Sequence, residues 1–271
     1  MKIHHLNCAT MCPPAPAGFL NPERKMVCHC LLVETGDGLV LVDTGLGLDD
    51  VATPVKRLGG SFVRFTRPAL DANETAARQV EKLGFTRRDV RHIVVTHLDL
   101  DHAGGLSDFP EAQVHLYATE LDAALARRHL KERERYKPIQ WAHGPLWDPR
   151  KLTGERWFGF DAVRAVPKLE DSVLIVPTVG HTRGHAAIAV RGDAGWLLHC
   201  GDAYFYRDEM DPVNPHATPG LRFFQWLIQM DGEARLRNQA RLRELARDHG
   251  QEVRVFSAHD PAEYARMTRP S

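Results

Sequence analysis

Thr96-His97-Leu98-Asp99-Leu100-Asp101-His102-Ala103-Gly104-Gly105 follows directly on the run His92-Ile93-Val94-Val95. His97, Asp99, Asp101 and His102 can all bind a metal, and imidazole and carboxylate are ordinary ligands of Zn, Mn and Fe. In a loop at the end of a strand these side chains can converge on one small volume. A polar loop with chance histidines and aspartates is the plainer reading. It loses ground because the rest of the chain supplies the partners a metal site needs.

Those partners come at further junctions between strand and loop. Gly180-His181-Thr182-Arg183-Gly184-His185 follows the apolar run Val173-Leu174-Ile175-Val176. Leu197-Leu198-His199-Cys200-Gly201-Asp202 ends a buried-looking strand in a carboxylate. Val253-Arg254-Val255-Phe256-Ser257-Ala258-His259-Asp260 ends another in a histidine. Earlier in the chain, Leu39-Val40-Leu41-Val42-Asp43-Thr44-Gly45 reads as a strand closing on a carboxylate and a tight turn.

The ordered set resembles the metallo-β-lactamase superfamily. That pattern is an aspartate after an early strand, then HxHxDH, then His, Asp and His. Here it reads Asp43, His97-x-Asp99-x-Asp101-His102, His181, Asp202 and His259, spanning roughly residues 28 to 260. Asp99 departs from the commonest pattern, standing where a second imidazole usually is. The resemblance implies an α+β fold, an αββα four-layer sandwich of two mixed β-sheets flanked by helices, formed by one domain over residues 1–271. Residues 1–26 are expected as an irregular N-terminal arm, since Pro13, Pro14, Pro16 and Pro22 crowd its second half.

The same resemblance implies two adjacent divalent ions that activate a hydroxide between them. The first would be held by His97, Asp99 and His181, and the second by Asp101, His102 and His259. Asp202 would bridge them. Zn leads as the metal; the harder carboxylate of Asp99 admits Mn or Fe. Asp99 could instead stand outside the ligand set, hydrogen-bonded to it. Asp43 is expected to orient the main loop without touching metal. His185, Thr96 and Thr182 are expected to brace it.

Composition sets outer limits. The 271 residues suffice for a large core, and Lys+Arg and Asp+Glu balance at 35 each. Net neutrality argues against a broad nucleic-acid footprint. Arg127, Arg128, Lys131, Arg133 and Arg135, interrupted by Glu132 and Glu134, read as a solvated helical face. No apolar run is long enough for a membrane span, and the first residues lack the apolar core of a signal peptide, so a cytoplasmic location is expected. The five cysteines are an odd number in a chain too long to need staples; Cys28 and Cys30 have strand spacing, Cys200 reads as packed core, and Cys8 and Cys12, four apart near His4 and His5, admit a small accessory metal site.

Local patterns predict a hairpin over 27–42, a helix over 73–83 capped by Asn73, and a strand over 90–96. A single long helix is predicted over 119–136, with Leu121, Leu125 and Leu130 facing inward. Strands are predicted near 114–118, 171–177, 186–191, 196–200 and 253–257. Helices are predicted over 221–230 and 233–249. The irregular stretch 137–160, holding Trp141, Trp147, Trp157, Phe158 and Phe160, reads either as an apolar wall over the metals that, with Tyr204 and Tyr206, selects the substrate's acyl part, or as a packed loop covering the sheet.

The function expected is metal-dependent hydrolysis of a small-molecule ester or lactone, with catalytic parts for Asp101, Tyr204 and Tyr206. In the acyl-homoserine lactonases a tyrosine three residues after the bridging aspartate assists the carbonyl oxygen; Phe205 stands there in this chain, between two tyrosines. Thioester or phosphodiester hydrolysis is an alternative. So is iron-dependent redox chemistry, because the flavodiiron branch also carries a carboxylate at the Asp99 position. No nucleic-acid or membrane partner is expected.

Overall fold

The computed structural model describes residues 1–16, 19–151, 155–165, 169 and 172–269. Two six-stranded sheets form its centre. The first runs in chain order: β1 (Ile3–Met11), β2 (Met26–Thr35), β3 (Gly38–Val42), β4 (Val90–Val94), β5 (Gln113–Tyr117) and β6 (Leu146–Arg150). Its first two pairings are antiparallel and its last three parallel. The second holds β7 (Glu155–Trp157), β8 (Phe160–Ala165), β9 (Val173–Pro177), β10 (Ala186–Gly192), β11 (Gly195–His199) and β12 (Val253–Phe256). There only β11 and β12 run parallel.

Helices lie outside the sheets and over one end. They are α1 (Leu48–Ala52), α2 (Pro54–Leu58), α3 (Gly60–Thr66), α4 (Ala76–Lys82), α5 (Leu100–Ala103), α6 (Ala118–Ala126), α7 (Leu130–Arg135), α8 (Pro219–Ile228), α9 (Gly232–His249) and α10 (Pro261–Met267). Strand alternation sorts the side chains into layers. Leu31, Val33, Val40, Val42 and Val94 face Val173, Ile175, Ile188 and Val190 between the sheets. Leu32, Leu41 and Ile93 point the other way, onto Ala77 and Val80 of α4 and Leu121 of α6. Val176, Ala187, Ala189 and Leu198 pack on Leu242 and Leu245 of α9. This is the αββα sandwich expected from the sequence.

Four expectations are corrected. The first 26 residues are not an irregular arm throughout, because Ile3–Met11 is a strand. Leu6 and Cys8 are buried on the α4 side, while β1 borders the sheet and carries polar residues outward, so it gives no long apolar run. The predicted helix over 119–136 breaks in two: Arg127 takes a left-handed conformation (φ 44°), and Leu125 and Leu130 are exposed. Neither Gly nor Pro marks that break in the sequence. The cap of α4 is Thr75, whose hydroxyl accepts from Arg78 N, and not Asn73, which lies in a preceding short turn.

The fourth correction concerns the aromatic segment. Instead of an irregular wall it contributes β6 and β7. Pro149 is tolerated because β6 is an edge strand. Trp141 and Trp147 pack on the outer face of the first sheet, and Trp157 and Phe158 on that of the second. These rings are scaffold. No helix among the described residues is long and apolar enough to cross a membrane.

Candidate metal centre

The loops after the strands of both sheets meet at one end of the sandwich. The loop after β4 carries His97, Asp99, Asp101 and His102; the loops after β9, β11 and β12 carry His181, Asp202 and His259. All seven predicted ligands come together, in three overlapping groups: His97, Asp99, His181 and Asp202; His102, Asp202 and His259; and Asp101 with His259 and Cys28.

In the first group, Asp99 Oδ2 lies 3.3 Å from His97 Nε2 and 3.0 Å from His181 Nε2. Asp202 Oδ2 lies 3.3 Å from His181 Nε2 and 3.8 Å from His97 Nε2. In the second, Asp202 Oδ1 lies 3.0 Å from His102 Nε2 and 2.9 Å from His259 Nε2. Asp101 Oδ2 approaches His259 Nε2 to 3.6 Å. Donors around a tetrahedral ion with bonds of about 2.0–2.1 Å sit roughly 3.3 Å apart, so both groups have the right size. Moreover, His97 Nε2 and Asp99 Oδ1 are buried without a hydrogen-bond partner. Buried polar atoms are rarely left so, and here a divalent ion would satisfy them. The residues fit a dinuclear site.

Electrostatics agree with that fit. Burial pushes the His102 imidazole down, but Asp202, Asp43 and Asp101 override it and hold the group well above its ordinary value. His259, likewise buried, is lifted to about 9 by Asp202 and Asp101. Asp202 stays well below the usual carboxylate range despite burial, because three imidazoles face it. Such mutual charging of buried groups is characteristic of functional sites.

The surrounding hydrogen bonds aim the Nε2 atoms inward. Asp43 Oδ2 accepts from His102 Nδ1 at 2.8 Å and from the Thr96 hydroxyl at 2.8 Å. That hydroxyl in turn accepts from His97 Nδ1 at 2.9 Å, so one carboxylate fixes two imidazoles. His259 Nδ1 donates to Val27 O at 2.8 Å. Asp202 N donates to His185 Nε2 at 2.9 Å, which makes His185 a brace for the bridging carboxylate. Partners of this kind set tautomer and ring orientation at metal sites.

Three residues at the site escaped the sequence reading. Glu120, fully buried at the start of α6, accepts from Leu98 N, Gly184 N and the hydroxyls of Tyr136 and Thr182, so it ties the loop after β4 to the loop after β9. The approach is so close that a Cβ on Gly184 would fall 2.1 Å from Glu120 N. Arg135, read as part of a solvated face, instead points inward: its Nη1 lies 2.7 Å from Asp99 Oδ2 and 2.8 Å from His181 Nε2. Cys28 lies with Asp101 and His259. None of these has a sequence signature, because each reaches the site by long-range packing.

The tyrosines fall elsewhere. Tyr204 is fully buried and its hydroxyl donates to Glu263 at 3.0 Å. Tyr206 lies beside the Arg207 guanidinium and the His216 ring. The residue between them faces the site: Phe205 lies 5.0 Å from the His259 ring and 6.0 Å from that of His181, centre to centre. Glu209 sets this turn by accepting from Phe205 N and Tyr206 N. Phe205 belongs to an apolar cluster with Leu20, Met26, Leu46 and Leu100, against which Phe62, Phe224 and Ile228 pack.

Fold and site together define a metallohydrolase of the αββα class. The profile described as the metallo-beta-lactamase superfamily matches residues 24–231, and the chain belongs to that superfamily as one of its hydrolases. It is 44% identical over 265 residues to a probable metallo-hydrolase of Mycobacterium tuberculosis, covering 97% of this chain and 82% of that protein. It is 24% identical over 233 residues to the N-acyl homoserine lactonase AiiA of Bacillus thuringiensis subsp. kurstaki, covering 85% of this chain and 80% of that one. In fold it resembles AidC, described as a dizinc quorum-quenching lactonase, with a TM-score of 0.56, 18% identity, and coverage of 88% and 74% of the two chains.

Proposed function

We propose that this chain hydrolyses a small lactone or ester with an apolar acyl part, using two divalent ions, zinc foremost, held by His97, Asp99, His181, Asp202, Asp101, His102 and His259. The observation that carries the reading is the division of Asp202: one oxygen faces His102 and His259, the other His97 and His181. When bound, two such ions supply a water of lowered pKa and polarise a substrate oxygen, so no protein nucleophile is needed.

The chain's own groups would do the rest. Asp43 and Thr96 hold the imidazoles of His97 and His102 in the tautomer that points Nε2 inward. Asp101, whose side chain is 13% exposed beside His259, would hold the proton released by the attacking water and return it to the leaving oxygen. Phe205 and Phe224 would cover the acyl part and exclude bulk water. Lactonase activity in AiiA is a property of that protein; it supports this reading together with the apolar cover.

The test is a panel of lactones, nitrophenyl esters, thioesters, phosphodiesters and β-lactams, assayed with Zn-, Mn- and Fe-loaded protein. Lactone or ester turnover is expected to dominate. Activity confined to phosphodiesters would reject the proposal. Asp99 favours one second reading, iron redox chemistry, because a carboxylate is harder than imidazole. Native protein dominated by Fe, with oxygen consumption on substrate, would decide for it.

A further inference from the structure

The two groups of ligands differ in one respect that their shared aspartate hides. The second group faces carboxylates and imidazoles. The first also faces a guanidinium. Arg135 ends α7, its side chain is 8% exposed, and its Nη2 donates to Ile228 O at the end of α8. That bond anchors the group from behind. Its Nη1 lies 2.7 Å from Asp99 Oδ2 and 2.8 Å from His181 Nε2, atoms themselves 3.0 Å apart. The group is therefore seated on two of the four donors that the first ion needs.

An imidazole nitrogen has one lone pair. His181 Nε2 can accept an N–H from Arg135 or bind an ion, but not both, and arginine cannot shed its charge to make way. The guanidinium also neutralises the extra negative charge that Asp99 brings. No arginine or lysine is paired with His102, His259, Asp101 or Asp202 among the described residues.

We propose that Arg135 competes with the metal for the first position, so that the two positions fill in order: the His102–Asp202–His259 position first, and the His97–Asp99–His181 position only as Arg135 withdraws from His181 Nε2. Asp99 and Arg135 then act as a pair. Asp99 strengthens the first position for a cation, and Arg135 weakens it until the ion concentration is high enough to displace the guanidinium. This inference rests on the dinuclear reading above and makes Arg135 a positioning residue that sets metal occupancy.

The experiment is calorimetric titration of metal-depleted protein with Zn2+ and with Mn2+, checked by chelator competition and by the absorption of the Co2+-loaded form. Wild-type protein should bind two ions in unequal steps, the weaker at least tenfold above the stronger in Kd. Arg135→Met should tighten the weaker step at least tenfold and move the stronger one less than threefold. Arg135→Lys keeps the charge but loses the planar fork, and should tighten the weaker step by a smaller factor. It also serves if the methionine variant does not fold. Equal steps in the wild type, or a weaker step that stays put or is lost in these variants, would overturn the inference. Binding of no ion by either wild type or variant would instead reject the dinuclear reading on which it stands.

Discussion

Phe205 is stacked on His259, with ring centroids 5.0 Å apart and planes inclined by 17°. Phe205 also meets Phe224 of α8 in a T-shaped contact at 5.5 Å. An apolar ring is thus laid directly against a proposed ligand and continued outward by the N-terminal segment, α3 and α8.

Substrate length should be read by these rings. Removing one aromatic contact forfeits roughly 1.5–3 kcal/mol of apolar burial. Phe224→Ala should therefore lower kcat/KM about ten- to hundredfold for long acyl substrates and far less for acetyl ones. Trp141→Ala and Trp157→Ala should leave chain-length preference unchanged and cost about 3–5 kcal/mol of stability at most, since both rings are only partly buried in scaffold. Kinetics across an acyl series, with melting curves of the four proteins, check this; equal losses at every chain length in Phe224→Ala would count against a pocket.

Metal content should track the shared carboxylate. Asp202→Ala is expected to lose both ions and all activity, whereas His102→Ala should retain one ion at most. Elemental analysis after mild purification, with far-UV circular dichroism to confirm folding, measures it.

Asp43 acts on both imidazoles without being near enough to serve as a donor itself. Asp43→Asn keeps an acceptor for Thr96 N but loses the carboxylate that receives His102 Nδ1. Metal affinity should fall about ten- to hundredfold. A chelator competition giving wild-type affinity would show that His102 needs no such support.

The pH dependence of stability offers a test away from the site. Burial raises the Glu263 carboxyl to about 7, against donation from Ser257 N and Tyr204. A folded-state pKa above the unfolded value means the native state holds the proton more tightly. Stability from this group is full below about pH 4.5 and is lost as pH rises through about 7. Glu263→Gln should therefore gain on the wild type between pH 5 and pH 8 by roughly 2–4 kcal/mol, measured by urea unfolding at the two pH values. A constant difference between the proteins would place the titration elsewhere.

The convergence of the seven proposed ligands was legible because each follows an apolar strand, and strand ends are where open sandwiches gather loops. Asp43, His185 and Thr96 were legible for the same reason. What sequence could not give was direction. Tyr204 and Tyr206 were favoured for their position after Asp202, but Phe205 is the ring that meets His259 and His181, while the Tyr204 hydroxyl is tied to Glu263 and Tyr206 lies beside Arg207 and His216. Arg135 looked like one more charge on an exposed helix. The unmarked break at Arg127 starts a second helix, and that new axis carries Arg135 to Asp99. The aromatic stretch misled because rings in an irregular segment look alike whether they line a concavity or pack on the back of a sheet.

The proposed ligands come from both halves of the chain: the first sheet's loop supplies His97, Asp99, Asp101 and His102, and the second sheet's loops supply His181, Asp202 and His259. Ions held there would rivet one half-shell to the other. Their binding free energy would then be spent on cohesion as well as on chemistry, about 2.7 kcal/mol for a free ion concentration a hundredfold above its Kd. A cell starved of the metal would lose this enzyme twice over, first as a catalyst and then, with its seam unfastened, as a protein able to outlast proteolysis.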